Sequence, residues 1–290
     1  DDVYGYNAYD NSGDPMDDVG HGTHVAGTIR AVGNNGTGVT GMNWSTSILA
    51  VKVLGNNGEG TSETIMAGID YVLDQKQRGL NIKAVNCSFT AWYGRDTDET
   101  TNPYALSMKA LSDAGVVIVV ASGNEFQDIE NPGGPGSNPE NPEMDYRGKV
   151  PWPATMKSVP NIISVSACGE GGAPTAFGNY GKNFVHIYAP GFDIYSTTPG
   201  DEYESWEGTS MAAPHVTGLA ALIAAKNPTM GAGAIRSVIL STVSRIPALS
   251  KRASSGGIPS PVDALAVKSA GDDPVSGIEI NMTNTSVEKN

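Results

Sequence analysis

The chain has 290 residues, 39% of them hydrophobic, which is enough for one large α/β domain and the beginning of another. Its 18 Lys and Arg stand against 31 Asp and Glu, a net charge of -13 that argues against nucleic acid as a partner, since such binding neutralises phosphates with basic residues. Only Cys87 and Cys168 are present, which excludes a disulfide scaffold, and no apolar run reaches the length of a membrane span.

In chain order, short β-rich runs alternate with helical patterns. Residues 47–54, 84–88, 116–121, 162–167 and 184–188 are predicted as strands, and the unbroken run Val116-Val117-Ile118-Val119-Val120 suits a strand covered on both faces, as in a parallel sheet. Residues 61–76 space Ile65, Ile69, Val72 and Leu73 at helical intervals, with Thr61 or Ser62 as the N-cap. Residues 103–114 form the next helix, and residues 210–226 and 230–243 make a helix pair broken by Asn227-Pro228. Both cysteines fall in apolar, strand-like contexts that suit buried free thiols. Residues 127–153, rich in Pro, Gly and Asn and without periodicity, read as a long loop, functional or disordered. The alternation predicts a three-layer α/β domain over residues 1–270, a mostly parallel sheet flanked by helices. Residues 271–290 read as a linker and the possible start of an Ig-like β-domain or a disordered tail, because Ile278, Ile280, Met282 and Val287 recur there among polar residues.

Three segments carry chemistry. Ser210 stands in Gly208-Thr209-Ser210-Met211-Ala212-Ala213-Pro214-His215-Val216, at the mouth of an apolar helix, where unpaired N–H groups and the positive dipole end favour a developing oxyanion. A serine hydroxyl is barely ionised at neutral pH and needs a base beside it. His21 suits that role, since it opens His21-Gly22-Thr23-His24-Val25-Ala26-Gly27-Thr28, with Gly20 and Gly22 leaving room for substrate. Asn124, in Ala121-Ser122-Gly123-Asn124-Glu125, offers a side-chain amide donor. His24, His186 and His215 lie outside catalytic settings and read as packing residues. Singly, the three candidates have plainer readings as a core histidine, a capping serine and a turn asparagine.

Together these motifs resemble the subtilisin-like serine proteases, from about Tyr6 to about Val267. The resemblance implies a subtilisin-like fold and a serine endopeptidase working through an acyl-enzyme: His21 as base, Ser210 as nucleophile, and Asn124 with the Ser210 N–H as oxyanion donors. It implies an extended peptide or protein substrate lying as an added strand between Gly58-Glu59-Gly60 and Ser88-Phe89-Thr90, with Gly123 and Pro151-Trp152-Pro153 at the specificity pocket. It also implies structural calcium, through Val32, Asn35, Thr37 and Val39 in one loop and Asp10 and Asp14 in an acidic loop. A secreted or cell-surface location and an N-terminal propeptide follow from the same likeness.

One family element has no counterpart. The aspartate that orients the histidine normally ends a strand in an Asp-Thr-Gly or Asp-Ser-Gly setting, and neither motif occurs; Asp10, Asp14, Asp17 and Asp18 crowd just before His21 instead. The expectation is that this aspartate lies outside the fragment, upstream of Asp1. Met211, next to the nucleophile, is expected to make the enzyme sensitive to peroxide. Competing readings are an α/β-hydrolase esterase, disfavoured because Ser210 lacks Gly-x-Ser-x-Gly; a carboxyl-type serine peptidase, disfavoured by the His21 motif; and a protease-like domain that binds peptides without cleaving them.

Overall fold

Burial on both faces decides which apolar runs become the middle of the sheet. The computed structural model describes residues 5–267; the expected linker and β-domain start at 271–290 lie outside them. β1 (Gly5–Asn7), α1 (His21–Arg30), β2 (Ala50–Lys52) and α2 (Ser62–Gln77) come first, followed by β3 (Ala84–Cys87), β4 (Ala91–Gly94) and α3 (Pro103–Asp113). Next come β5 (Val117–Ala121), β6 (Lys149–Trp152), β7 (Ile162–Cys168) and β8 (Ile187–Pro190), then the hairpin of β9 (Ile194–Thr198) and β10 (Glu202–Trp206). α4 (Thr209–Lys226), α5 (Ala232–Ser241), the pair β11 (Val243–Arg245) and β12 (Gly257–Pro259), and α6 (Pro261–Ala266) complete the described chain.

The central sheet is parallel, in the order β3-β5-β7-β8. All residues of β5 and β7 are buried, because side chains that alternate across the strand meet helices on both sides. Val117, Val119, Ile163 and Val165 pack against α4 and α5 through Val216, Leu219, Ile223, Ile235 and Ile239. Ile118, Val120 and Ile162 face α2 and α3 through Ile69, Val72, Met108 and Leu111. This is the three-layer α/β arrangement expected from the alternation of elements. Local chemistry fixes the helix starts: Thr61 and Thr64 form a reciprocal capping box on α2, and Asn102 caps α3 ahead of Pro103.

β1 and β2 form a separate parallel pair. Val51 of β2 and Val85 of β3 nevertheless pack against the same core beneath α2. The Lys52 carbonyl accepts the Ala8 N–H, and the Lys83 carbonyl accepts the Val117 N–H. Backbone alternation therefore turns the peptide groups of Val51, Ala84 and Asn86 away from β1 and β5. Among the described residues β2 and β3 thus each keep one edge without a strand partner.

Several boundaries differ from expectation. The strand expected at 47–54 shrinks to Ala50–Lys52, as long as its partner β1. The strand expected at 184–188 begins at Ile187, because Phe184 and Val185 both donate to the Gly181 carbonyl and close a turn; Val185 and Tyr188 are apolar in order to fill a small core with Ile129 and Leu249. The 127–153 loop is built rather than formless. Its last residues form β6, which pairs antiparallel with β4, and Gln127 accepts the Gly133 N–H. Cys87 and Cys168 are free and buried, and burial pushes their thiols up to about 12 and about 11. Among the described residues no helix is long and apolar enough to cross a membrane.

Candidate active site

His21, Asn124 and Ser210 line one open cleft of about 760 Å³. Its other wall comes from the hairpin and the turns around it: Phe192, Asp193, Ser205, Trp206 and Glu207, with Met211 below. Three segments far apart in sequence meet there because α1 and α4 pack together and both begin at this end of the fold.

Ser210 is the second residue of α4. In that first turn the Thr209 N–H is accepted by Asn124 Oδ1 at 2.9 Å and the Met211 N–H by the Gly208 carbonyl at 3.1 Å. No acceptor among the described residues takes the Ser210 N–H, which leaves it available at the dipole-positive end of the helix. The Ser210 hydroxyl donates to the Ser88 carbonyl at 3.1 Å.

The Asn124 amide is held by its oxygen, which accepts both the N–H and the hydroxyl of Thr209 at 2.9 Å. With Oδ1 occupied, Nδ2 is the end left for the cleft. The preceding Gly123 has φ +98, and a Cβ there would stand 2.5 Å from Asn179 Nδ2 and Glu125 Oε2, so only glycine fits this turn. Asn179 braces the same loop from beneath: its amide donates to the Ser122 carbonyl and Glu125, and its oxygen accepts the Gln127 N–H at 2.8 Å.

His21 opens α1 after Gly20, whose φ of +93 and close approach to Pro199 and Trp206 again require glycine. Burial lowers the imidazole pKa, the Asp17 charge pulls it back up, and His24 lowers it. The net direction is down, toward the neutral ring a base requires. Asp17 braces the turn that leads into this helix. One oxygen accepts from Val19 and Gly20, and the other accepts the Thr23 N–H and hydroxyl, both at 2.7 Å. Burial works against that carboxylate's charge, but these bonds together keep its pKa below the ordinary value. Among the described residues no carboxylate accepts a hydrogen bond from His21.

The remaining histidines hold structure. His24 is fully buried; its Nε2 meets the Ile194 and Glu204 carbonyls and its ring stacks on Trp206 at 4.7 Å, docking the hairpin that forms the cleft wall. His186 Nδ1 accepts the Ser164 N–H, and His215 Nδ1 meets the Met211 carbonyl. Met211 is only 2% exposed and lines the cleft beside Ser210.

The predicted substrate segments divide. Ser88 touches Ser210 directly, and Thr90 lies against Gly123. Gly58 and Gly60 belong to an exposed turn closed by Gly58 N–H to Gly55 carbonyl at 3.0 Å, and neither they nor Phe89 line the cleft. Trp152 is buried and stacks on Tyr93. Of the predicted calcium ligands, Asn35 Oδ1 accepts the Thr37 N–H at 3.0 Å and Asp14 Oδ1 the Met16 N–H, each with oxygen lone pairs to spare. Asp10 Oδ2 accepts from Asn7, and Val32 and Val39 offer backbone carbonyls. These are hard oxygen donors, the kind calcium takes. No cluster of three or more His, Cys, Asp or Glu suited to a metal occurs among the described residues.

Sequence reasoning missed Thr209 and Asn179 as supports of Asn124, Asp17 as the charge that acts on His21, and the hairpin as a cleft wall. Only Asp17 left a signal, an acidic residue in the turn before the helix with a threonine inside its first turn.

Comparison with known proteins identifies the family and the fold. The family model described as "Subtilase family" matches residues 1–273. Subtilisin-like protease 1 of Plasmodium vivax is 32% identical over 262 residues, 89% of this chain and 39% of that protein. A thermophilic serine proteinase of Bacillus sp. (strain AK1) is 37% identical, over 77% of this chain and 47% of its own length. Subtilisin DY of Bacillus licheniformis is 36% identical, over 79% of this chain and 72% of its own. The chain thus spans less than half the length of the first two relatives. The crystal structure of a cold adapted subtilisin-like serine proteinase superposes with a TM-score of 0.66 at 28% identity, over 89% of this chain and 78% of that one.

Proposed function

This chain belongs to the subtilase family, and from that premise we propose that it is a serine endopeptidase in which Ser210 is the nucleophile, His21 the general base and acid, and Asn124 with the Ser210 N–H the oxyanion donors. One observation carries the reading: imidazole, carboxamide and hydroxyl stand on the wall of one cleft.

The steps follow from the bonds already described. Rotation about its Cα–Cβ bond takes the Ser210 hydroxyl from the Ser88 carbonyl to the neutral His21 ring, which removes its proton as Oγ bonds to the scissile carbonyl carbon. The oxyanion that forms meets the Ser210 N–H and Asn124 Nδ2. Collapse breaks the C–N bond while the imidazolium protonates the leaving amine, and water then repeats the sequence on the acyl-enzyme. In subtilisin itself, removing the corresponding asparagine costs about 10²–10³ in turnover, and a loss of that order is expected here for Asn124→Ala.

The orienting carboxylate belongs, in this proposal, to a strand outside the 290 residues that pairs with the unpaired edges of β2 and β3. The bare His21 supports a second reading, a domain that binds peptides without cleaving them. Substrates are peptides or proteins, laid as an added strand along 88–90 and 58–60. An N-terminal propeptide and a secreted or cell-surface location complete the proposal, on family grounds. Calcium would be held by Val32, Asn35, Thr37 and Val39 in one surface loop and by Asp10 and Asp14 in the other, each through oxygen donors.

A fluorophosphonate probe decides between the readings. Covalent labelling at Ser210, lost in Ser210→Ala, supports the peptidase; peptide binding without labelling supports the binding domain.

A further inference from the structure

Pro214 stands inside the N-terminal part of α4 and has no N–H to give. The carbonyl it leaves without a helical partner is the one four residues back, on Ser210. That carbonyl accepts the Ser88 hydroxyl at 2.8 Å, while the Ser210 hydroxyl donates to the Ser88 carbonyl at 3.1 Å. Ser210 is therefore tied twice to the residue that follows β3. The chain of bonds continues inward: Asn86 Nδ2 donates to Ser88 Oγ at 2.8 Å, and Asn86 Oδ1 accepts the Thr217 hydroxyl at 2.8 Å.

The directions are forced. A carbonyl can only accept, so the Ser88 hydroxyl must donate to Ser210; its oxygen then has to be met by the amide of Asn86, which leaves Oδ1 for Thr217. Ser88 and Thr217 are 8% and 5% exposed, so water does not readily replace a lost partner. Thr217 Oγ1 also stands 3.2 Å from the Ala213 carbonyl, one helical turn back, but both partners are acceptors and the shorter contact, to Asn86, takes its single proton.

We propose that Thr217, Asn86 and Ser88 are positioning residues: a one-way hydrogen-bonded relay between α4 and β3, made possible by Pro214, that sets where Ser210 stands relative to His21 and Asn124. The inference rests on Ser210 being the nucleophile and adds three residues that touch no substrate through their side chains.

Thr217→Val keeps the shape and deletes the hydroxyl. In the active protein, kcat on a peptide substrate and the rate of fluorophosphonate acylation are expected to fall about tenfold while KM holds within about twofold. Thr217→Ser is expected to restore both rates. A helix–sheet tie with no catalytic bearing would lower the melting temperature and leave both rates near parental, and that result overturns the relay. Asn86→Asp gives a second route should Thr217→Val fold poorly, because its carboxylate accepts from Thr217 but cannot donate to Ser88; a parental kcat there also overturns it. A parent protein that takes up no label overturns the nucleophile and the relay with it, whereas a labelled parent with an indifferent variant overturns the relay alone.

Discussion

At the scale of single residues, the chemistry depends on groups that hold other groups. Asp17 shows this best: one oxygen takes the Thr23 N–H in the first turn of α1, the other closes the turn before it, and its charge partly offsets the burial of His21. Asp17→Asn removes that charge, so the His21 pKa moves further down and the ring stays neutral to lower pH. The acid limb of kcat/KM is accordingly expected to shift to lower pH in the variant, and a limb that stays in place or moves up would show that Asp17 does not act on His21 electrostatically. Asp17→Asn keeps one acceptor oxygen and exchanges the other for a donor, so a stability loss below the roughly 1 kcal/mol of an outright cap deletion is expected by denaturant unfolding. Asn124 and Ser210 were legible in sequence because short motifs placed them at a strand end and a helix mouth. Thr209 was not legible as a support, since nothing in Gly-Thr-Ser says that its hydroxyl will take the oxygen of an asparagine 85 positions away.

At the scale of elements, legibility followed the number of buried faces. β5 and β7, buried throughout, could be read from their apolar runs, and α2, α3 and α4 fell within a residue or two of expectation because caps and periodicity agreed. The β9–β10 hairpin could not be read: β10 is largely exposed and polar, and its register comes from the turn at 199–201 and from His24, a residue of another element. The stretch at 184–188 misled because its apolar side chains serve the Ile129 core rather than a sheet face. His186 beside it makes the junction of β7 and β8 sensitive to pH. Burial pushes its pKa down to about 3, and the Ser164 N–H requires an unprotonated Nδ1. The folded state therefore refuses a proton that the unfolded chain takes up below about 6.5. This contribution to stability is full above that value and drains away at up to about 1.4 kcal/mol per pH unit as pH falls toward the folded-state value. Denaturant unfolding at a series of pH values is expected to show that slope, and His186→Gln, which keeps an acceptor for Ser164, is expected to flatten it. An unchanged slope in the variant would assign the acid sensitivity to other groups.

At the scale of the whole molecule, two features bear on the protein's completeness as an enzyme. The first is the pair of oxygen-rich loops, at 32–39 and 10–14. Calcium bound at either loop is expected to raise the melting temperature, and chelator to lower it, without altering the cleft; a melting point indifferent to both would remove the ion from the proposal. The second is the divided sheet. β2 and β3 flank α2 and share its core, yet neither hydrogen-bonds the other, and the peptide groups of Val51, Ala84 and Asn86 face away from their existing partners. Unpaired interior edges of this kind are costly, and one inserted strand would satisfy both. In the 290-residue chain these three amides are therefore expected to exchange with solvent far faster than those of Val119 and Val165, in the buried middle of the sheet. A strand carrying an aspartate, joined to the chain or added as a peptide, is expected to slow exchange at all three and to raise labelling of Ser210 in parallel, because one segment would close the sheet and orient the imidazole. Slow exchange at Val51, Ala84 and Asn86 in the chain alone would mean that the two sheets close without it. The orienting carboxylate would then have to come from the chain itself, and Asp17, the acidic neighbour whose charge His21 already feels, is where that search would begin.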